Sequence, residues 1–367
     1  MTGKRPTITD VAAQAGVSKA TVSAVLNDTG AVKGATRERV LDAIARLNYR
    51  PTQGGGRGVM RNGRSIGLLI KEHDNPYYAQ VADGVRACAD AHGYTLLIVS
   101  TGGDYETERR AVELLRAKDV DGLIVTPVLD EHADLSHFFD LKRRNFPFVF
   151  LEEVRGVPAS LVDVDNASAA CRAVEYLIAR GHTRIVHFAG PGYSAHSAER
   201  VQGVRNAYSA SHLVFADDVV VPAGAHLEDG YRAAFARFRD APAATRPTAA
   251  TCYNDLVAIG VCRALSELGL RVPDDVSVIG FDDIPLCQYV PVPLTTVRMP
   301  AAEMGEIATQ MLIRQIESRE SVTPQRVYLD ATLVERASTT ARTGADGSTP
   351  GRHNPPTNAP RPLAARP

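Results

Sequence analysis

Several features that mark common classes of protein are missing from this sequence of 367 residues. No run of 18 or more uncharged apolar residues occurs, so the sequence excludes a transmembrane helix. The first residues, MTGKRPTITD, contain no apolar segment of the kind that a secretory signal peptide needs. The five cysteines are scattered and form no C-x-x-C pair, which argues against a disulfide framework and a zinc finger. We therefore expect a cytoplasmic protein with no membrane partner.

The motifs of common enzymes are also absent. Gly190-Pro191-Gly192 comes nearest to a phosphate-binding loop, but it lacks a third glycine in register. The sequence has no Walker lysine, no G-x-S-x-G turn and no pair of histidines at metal-ligand spacing. We therefore predict a protein that is not an enzyme and that needs no cofactor or metal.

The net charge of −1 hides an uneven distribution along the chain. Residues 1–64 hold three Lys and eight Arg against three Asp and one Glu, which gives this part a charge of +7. The remainder holds 30 basic and 38 acidic residues, which gives it a charge of −8. A small basic segment on an acidic body is typical of a nucleic-acid-binding module attached to another domain.

The basic segment carries the pattern of three short helices. Thr7 to Asp10 fits a helix-capping box, apolar residues follow at helical spacing, and Gly16 stands where a tight turn would end the helix. Ser18 can cap a second helix that faces inward through Val22 and Val25, together with Leu26. A third helix is predicted from about Ala35 to Leu47, with Val40, Leu41, Ile44 and Leu47 facing the core. Two helices joined by a glycine-containing turn describe a helix-turn-helix unit.

Residues 51–64 are rich in glycine, which loses much backbone entropy on ordering, so they are predicted to form a hinge. Beyond them, short apolar runs alternate with amphipathic segments, and the pattern occurs twice. This predicts an α/β fold with two similar lobes, each a doubly wound parallel sheet covered by helices on both faces. Ligands of such sheets bind at the carboxyl ends of the strands, so we look for site residues in the loops that follow them.

We predict four regions along the chain. They are a headpiece at 1–50 with its motif at about 8–27, the hinge at 51–64, a core at 65–338 and a tail at 339–367. Within the core, the first lobe is expected to span about 65–165 and 293–322, and the second about 166–292 and 323–338. The tail holds six of the 22 prolines and almost no large apolar side chains, so we expect it to be disordered.

The string TITDVAAQAGVSKATVSAVLND, continued by TRERVLDAIARLNYRP, resembles the DNA-binding headpiece of the LacI/GalR family of bacterial transcriptional regulators. The resemblance continues through the motifs IGLLI, NPYYAQVADGV, VDGLIV, VDVDN, RGHTRI, FAGP, CYNDLVAIG, VSVIGFDD and PLTTV. It covers about residues 7–338. It implies a helix-turn-helix headpiece on a two-lobed core like that of periplasmic binding proteins. A free solute-binding protein and a doubly wound enzyme are the alternatives; the basic segment and the missing signal peptide argue against the former.

The resemblance implies that the helix from Ser18 to Asn27 enters the major groove of operator DNA. Lys19 can donate to guanine, whereas Ala20 offers only methyl contact to thymine. Ala24 stands where many relatives have Arg. Thr21 and Ser23 would hold phosphates, or are simply polar residues of a helix surface. The implied DNA contacts are Thr9, Ser18, Lys19, Ala20, Thr21, Ser23, Asn27, Tyr49, Gly58 and Val59.

The hinge departs from the family pattern. In the family this segment becomes helical on DNA and inserts a Leu into the minor groove. Here Gly58 takes the Leu position and Gly55 replaces a usual Ala, so either Val59 inserts instead or the operator is bent less. We expect an unusually unstable hinge helix, because each Gly costs about 1 kcal/mol relative to Ala.

The resemblance also implies a small-molecule effector, most simply a sugar, bound between the lobes. Asp282 is the best single candidate, since an ionised carboxylate accepts two hydrogen bonds from neighbouring hydroxyls. Asp283 is expected to cap the following segment. Tyr77 either stacks on a flat ligand face or covers the start of its helix. The full set of candidate effector residues is Tyr77, Ser194, His196, Arg200, Asn254 and Asp282.

The resemblance implies a mechanism as well. A homodimer would place two headpieces on a pseudo-palindromic, double-stranded operator, and effector binding would change the closure of the lobes and bias the hinge. Arg200 and Asp282 also occur in purine-responsive members of the family, so the effector class stays open at this point. Whether the effector releases DNA or promotes its binding also stays open.

Overall fold

The structure is a computed structural model, and it describes residues 7–26, 32–47, 64–118, 120–129, 134–318 and 323–342. Two compact units make up the chain, residues 1–63 and residues 64–367. The boundary between them falls within one residue of the predicted start of the core.

The three predicted helices of the first unit are confirmed. They are α1 (Ile8–Ala15), α2 (Lys19–Leu26) and α3 (Gly34–Arg46). The capping box forms as expected, because the backbone N–H of Thr7 donates to Asp10 Oδ2 at 2.7 Å. Gly16 ends α1 with a φ of +63°, a left-handed conformation that glycine adopts without strain.

The core of the first unit contains Val11, Val22 and Val40, which are fully buried. The prediction that Leu41 faces this core is wrong, since its exposed fraction is 51%. Ala43 is buried instead, because the inward face of α3 runs from Val40 through residues 43 and 44 to 47.

The second unit contains two sheets. Its described strands are β1 (Arg64–Ile70), β2 (Tyr94–Ser100), β3 (Gly122–Val125), β4 (Phe148–Phe150), β5 (Ser160–Val164), β6 (Ile185–Ala189), β7 (Val220–Pro222), β8 (Ala249–Cys252), β9 (Ser277–Asp282), β10 (Thr295–Arg298), β11 (Arg326–Leu329) and β12 (Thr332–Val334). The first lobe is built on the sheet β11-β5-β4-β3-β1-β2, and the second on the sheet β12-β10-β9-β8-β6-β7. Neighbouring strands pair in parallel, apart from the antiparallel pair β10 and β12. The doubly wound, two-lobed α/β fold is therefore confirmed.

Helices cover both sheets. They are α4 (Pro76–Ala91), α5 (Tyr105–Ala117), α6 (Ser136–Arg143), α7 (Asn166–Ala179), α8 (Ala195–Ala210), α9 (Leu227–Phe238), α10 (Asp255–Glu267) and α11 (Ala301–Glu317). Helices α4 and α11 pack closely in the first lobe because both carry glycine at the contact. A Cβ on Gly84 would lie 1.9 Å from the carbonyl oxygen of Ala302, and a Cβ on Gly305 would lie 2.3 Å from that of Val81.

Two strands belong to a different lobe from the one predicted for them, one at each of two points where the chain crosses between the lobes. Strand β10 was assigned to the first lobe but pairs with β9 in the second. Strand β11 was assigned to the second lobe but pairs with β5 in the first. A strand of four residues contains no local signal for the sheet that it joins, so sequence spacing alone misplaced both.

The predicted start of the disordered tail, residue 339, is too early. The Thr339 hydroxyl lies within hydrogen-bond distance of the hydroxyls of Tyr176 and Thr295, and the backbone N–H of Arg342 donates to Arg180 at 2.8 Å. Residues 339–342 are thus tied to the second lobe, while the rest of the tail lies outside the described residues.

Candidate functional site

The described part of the predicted DNA contacts lies on the outward face of α2, on Ser18 just before it and on Thr9 of α1. Ser18 Oγ accepts the Thr21 N–H at 3.1 Å and lies 2.9 Å from Thr21 Oγ1, so Ser18 begins the helix as predicted. Val22 and Val25 fix the opposite face in the core. As a result Lys19 and Ala20 are exposed, as is Thr9 on α1, and Thr21 and Ser23 are half-buried. Asn27, Tyr49, Gly58 and Val59 lie outside the described residues, as does the rest of the hinge apart from Arg64.

In the second unit, the predicted effector residues lie at the carboxyl ends of the strands. Tyr77 begins α4 after β1, and its backbone N–H donates to the capping side chain of Asn75 at 3.0 Å. Its hydroxyl lies 3.7 Å from the sulfur of Met304. Burial raises the pKa of the Tyr77 hydroxyl well above its usual value, and the negative charges of Asp282 and Asp163 raise it further. Tyr77 therefore lies close to the charged residues between the lobes.

Arg200 on α8 is 4% exposed and is held from several sides. Its Nε donates to Asn166 Oδ1 at 3.0 Å, and its Nη1 donates to the carbonyl oxygen of Tyr253. The guanidinium carbon lies 3.6 Å from the ring centroid of Phe281, a cation–π contact. Nη2 lies 4.0 Å from Oδ1 of Asp282. The structure thus brings the predicted residues Arg200 and Asp282 together.

Asp282 is buried at the end of β9. Burial raises the pKa of its carboxyl group well above the usual range, because desolvation outweighs the attraction of Arg200, and the carboxylate of Asp255 raises it further. Asp282 and Asp283 both have positive φ values, 115° and 59°, which are strained for residues with a side chain. Such strain is commonly found at functional sites.

Neighbouring residues hold this strained turn in place. Asp283 Oδ1 accepts a hydrogen bond from Arg336 at 2.6 Å, and Asp283 Oδ2 accepts one from Arg298 at 2.7 Å. Asp255 Oδ2 accepts the N–H of Ile284 at 2.9 Å. Asp283 therefore anchors the segment, in line with the structural role expected for it, although through ion pairs rather than by capping.

Asn254 is fully engaged with its own lobe. Its Oδ1 accepts the Val257 N–H at 2.8 Å, which caps α10, and its Nδ2 donates to the carbonyl oxygen of Ala225 at 2.8 Å. The side chain is buried, with 1% of the residue exposed. These contacts give Asn254 a structural role, and its contact with an effector stays a prediction.

Ser194 and His196 lie at the start of α8 and contact residues of the first lobe. Ser194 Oγ lies 3.5 Å from Glu152 Oε1 and accepts the Tyr253 hydroxyl at 3.0 Å. His196 Nε2 lies 3.0 Å from Asp163 Oδ1. Burial lowers the pKa of His196, but the charges of Glu152 and Asp163 outweigh that effect, so its pKa is raised overall. The buried imidazole therefore favours the protonated form.

Sequence reasoning missed four residues of this region: Lys71, Glu152, Asp163 and Tyr193. Lys71 follows β1, Glu152 lies two residues beyond β4, and the two form an ion pair in which each side chain is 2% exposed. Burial raises the pKa of Glu152, but Lys71 and His196 lower it more, so the net pKa is below its usual value. All four residues lie at or just beyond strand ends, and Asp163 also lies within the motif VDVDN; the position at a strand end is the signal that could have pointed to them, although it does not show which groups they contact.

The chemistry of this region suits a ligand rich in hydroxyl groups. Carboxylates accept hydrogen bonds and Arg200 donates them, while a hydroxyl does both. Aromatic rings of Tyr77, Tyr253 and Phe281 add apolar faces. Among the described residues, no group of three or more His, Cys, Asp or Glu side chains could hold a metal ion. No helix in the described part of the chain is long and apolar enough to cross a membrane.

Two family models match the chain. The model described as bacterial regulatory proteins, lacI family, matches residues 7–52. The model described as a periplasmic binding protein-like domain matches residues 174–339. The first therefore covers all three helices of the first unit, and the second covers most of the second lobe.

The similar proteins align with this chain over nearly their whole length. The HTH-type transcriptional repressor PurR of Vibrio vulnificus (strain CMCP6) is 35% identical over 328 residues, covering 86% of this chain and 93% of the relative. PurR of Vibrio campbellii (strain ATCC BAA-1116) is 36% identical over 317 residues, with the same coverage of both chains.

Solved structures agree with these relatives. The transcriptional regulator CelR in complex with cellobiose is 30% identical, with a TM-score of 0.67, covering 91% of this chain and 100% of that one. The lac repressor dimer bound to operator and the anti-inducer ONPF is 27% identical, with a TM-score of 0.70, covering 92% of this chain and 100% of that one.

Proposed function

This chain belongs to the LacI family of DNA-binding transcriptional regulators, and we propose that it is a homodimeric repressor whose operator affinity is controlled by a neutral sugar bound between its lobes. The observation that carries the sugar assignment is the Arg200–Asp282 pair, buried at the strand ends and flanked by aromatic rings. Hydroxyl groups of a sugar satisfy both donors and acceptors of such a pair, and its apolar face suits the rings. The solved structure of the similar regulator CelR is a complex with cellobiose, which supports a carbohydrate as the effector class.

The DNA-binding role is assigned to the exposed face of α2. Lys19 would donate to a guanine and Ala20 would contact a thymine methyl group, while Ser18, Thr21, Ser23 and Thr9 would fix the register through phosphates. A pseudo-palindromic duplex follows from two copies of this face related by a twofold axis. Cytoplasmic location follows from the same role and accords with five free cysteines.

The homodimer is supported by apolar side chains that are exposed on both lobes. Ile98 is 50% exposed on β2, the edge strand of the first sheet, and Tyr289 is 83% exposed in the second lobe, near Leu286 at 45%. Exposed apolar residues and an exposed edge strand are features that a partner surface would cover. The lac repressor relative is a dimer on its operator, as its structure is described.

We propose no catalytic reaction for the residues between the lobes. Glu152 and Asp163, which both contact His196, are engaged with basic groups or backbone N–H groups of the protein. The relatives are repressors, and ligand recognition accounts for the remaining side chains.

A thermal-melt screen of the full chain tests the effector class. The panel contains ribose, glucose, cellobiose, sugar alcohols and free nucleobases. A ligand at 100 times its Kd should add about 2.7 kcal/mol of stability and raise the Tm by a few degrees. We expect a shift with a sugar in the wild type and, at the same sugar concentration, a clearly smaller shift in Asp282→Asn, because its affinity for the sugar is lower. A shift with a nucleobase alone would replace the sugar by a purine or pyrimidine effector.

A further inference from the structure

Tyr193 of the second lobe contacts three separate loops of the first lobe. Its hydroxyl donates to Glu72 Oε1 at 2.6 Å in the loop after β1. Its carbonyl oxygen accepts the N–H of Leu129 at 2.9 Å in the loop after β3. Its ring covers Gly103 after β2, where a Cβ would lie 2.7 Å from the ring. One residue thus binds the ends of three neighbouring strands.

The first turn of α8 is completed by a residue of the other lobe. A helix start leaves N–H groups that need an acceptor, and the side chain of the N-cap residue Ser194 supplies no such bond. Glu152 Oε1 accepts the N–H of Ala195 at 2.6 Å and that of His196 at 3.3 Å instead. The carboxylate is stabilised by its ion pair with Lys71. Separation of the lobes would leave these N–H groups to water.

His196 extends the same contact to β5, since its Nε2 lies 3.0 Å from Asp163 Oδ1. Residues 193–196 therefore meet the loops after β1, β2, β3 and β4, and β5 itself. All of these contacts use groups of the protein, and none needs a bound molecule.

We propose that residues 193–196 form a closure latch, which holds the two lobes of the core together without an effector. The latch sets the equilibrium between open and closed lobes on which an effector acts. This consequence for regulation rests on the proposed function, whereas the latch itself does not.

Two adjacent glycines provide a matched pair of variants. Gly102 and Gly103 have nearly equal φ values of +65° and +70°, so alanine strains the backbone equally at both. A Cβ on Gly102 meets nothing within 4 Å, whereas a Cβ on Gly103 displaces the Tyr193 ring. Gly103→Ala therefore opens the latch, and Gly102→Ala controls for strain.

Residue-resolved hydrogen–deuterium exchange of the ligand-free full chain gives the readout. In the wild type, the amides of Ala195 and His196 should be protected. We expect Gly103→Ala to accelerate their exchange about tenfold or more and Gly102→Ala to leave it unchanged. In a Tyr193→Ala background, Gly103→Ala should add no further acceleration, because the ring that it displaces is gone.

Equal acceleration by both glycine variants, or unprotected Ala195 and His196 amides in the wild type, would overturn the latch. If Gly103→Ala also accelerates exchange throughout β8, the variant unfolds globally. In that case Tyr193→Phe is the variant that tests the latch. That variant removes only the bond to Glu72, so exchange at 195–196 should rise about threefold while β8 stays protected; no rise would reject the proposal. Failure of every sugar in the melt screen would instead reject the proposed effector and leave these exchange results unaffected.

Discussion

The guanidinium carbon of Arg200 lies 3.6 Å from the ring centroid of Phe281, inside the second lobe. Both residues are buried, so the cation is desolvated except for the groups that it contacts. This contact fixes the guanidinium plane beside Asp282, where the proposed effector binds.

Replacement of Arg200 by Lys should weaken effector binding by at least about tenfold, because a lysine keeps the charge but loses the forked donor geometry. The measurement is calorimetric titration with the sugar that the melt screen identifies. Arg205→Lys is the matched control, since Arg205 lies on the same helix and its guanidinium carbon is 4.3 Å from the Phe215 ring centroid. Equal effects of both variants would contradict the assignment of Arg200.

Substitutions of the adjacent residues Asp282 and Asp283 should have different effects, the first mainly on effector binding and the second mainly on folding stability. Asp282→Asn should weaken effector binding by about 10- to 100-fold, because it replaces one oxygen acceptor by an NH2 donor and a buried polar group left without a partner costs about 1–3 kcal/mol. Asp283→Asn should lower the free energy of unfolding by about 1–3 kcal/mol, because it removes the charge that pairs with Arg298 and Arg336 and leaves one of their hydrogen bonds without an acceptor. Urea unfolding and ligand titration of both variants check this, and a larger affinity loss in Asp283→Asn would reverse the assigned roles.

Acid should destabilise the second lobe through His187. Burial, together with the nearby charge of Arg200, lowers the pKa of His187 to about 3. An unfolded histidine has a pKa of about 6.5, so below that pH the unfolded state binds the extra proton. The stability contribution is present above pH 6.5 and is lost as the pH falls. Between pH 7 and pH 5, wild type should lose about 2 kcal/mol that His187→Gln does not lose.

Urea unfolding at pH 7, 6 and 5 measures this difference. His226→Gln is the control, because the His226 side chain is 45% exposed. The same pH dependence in wild type and His187→Gln would show that the buried imidazole makes no such contribution.

Lys19 should contribute to operator specificity rather than to charge alone. Loss of a base-reading side chain costs about 1–3 kcal/mol on the preferred operator and little on unrelated DNA. Lys33→Ala is the control, since Lys33 is also exposed but lies outside α2. Both variants should reduce the dependence of DNA affinity on salt concentration. Only Lys19→Ala should reduce the ratio between the Kd for unrelated DNA and the Kd for the operator. The DNA probe is an operator obtained by in vitro selection with the full chain. An unchanged ratio of specific to non-specific Kd in Lys19→Ala would show that Lys19 does not read a base.

The hinge offers a test that depends only on sequence. Gly55→Ala combined with Gly58→Leu should tighten operator binding at fixed salt, because alanine and leucine favour the helix that the family forms on DNA. Val59→Ala in the wild-type background separates the two alternatives, since it should weaken binding only if Val59 inserts into the minor groove. No tightening by the double variant would refute the unstable-hinge hypothesis.

Local patterns predicted the elements but not their long-range partners. The cap at Thr7 and the turn at Gly16 set the bounds of α1, and the apolar run IGLLI placed β1. The sheet assignments of β10 and β11 failed, because strand pairing depends on residues far apart in sequence. The interpretation of Arg200 and Asp282 came from family motifs, and the structure brings the two together.

Lys71, Glu152 and Tyr193 could not be found in the same way. Each has an unremarkable local context, and their partners lie 81, 43 and 121 residues away for the bonds Lys71–Glu152, Glu152–Ala195 and Tyr193–Glu72. Only the folded arrangement of the two lobes shows that these charges are buried and paired.

We propose that effector binding changes the affinity of the same chain for its operator. The most direct test is the operator Kd of the full-length protein at fixed salt, with and without a saturating concentration of the sugar identified by the melt screen. We expect the operator Kd of the wild type to change about tenfold or more, and Asp282→Asn to need about 10- to 100-fold more sugar for the same change, because coupling requires different effector affinities in the free and DNA-bound states. Equal operator Kd values in wild type, with a sugar shown to bind, would contradict the proposal.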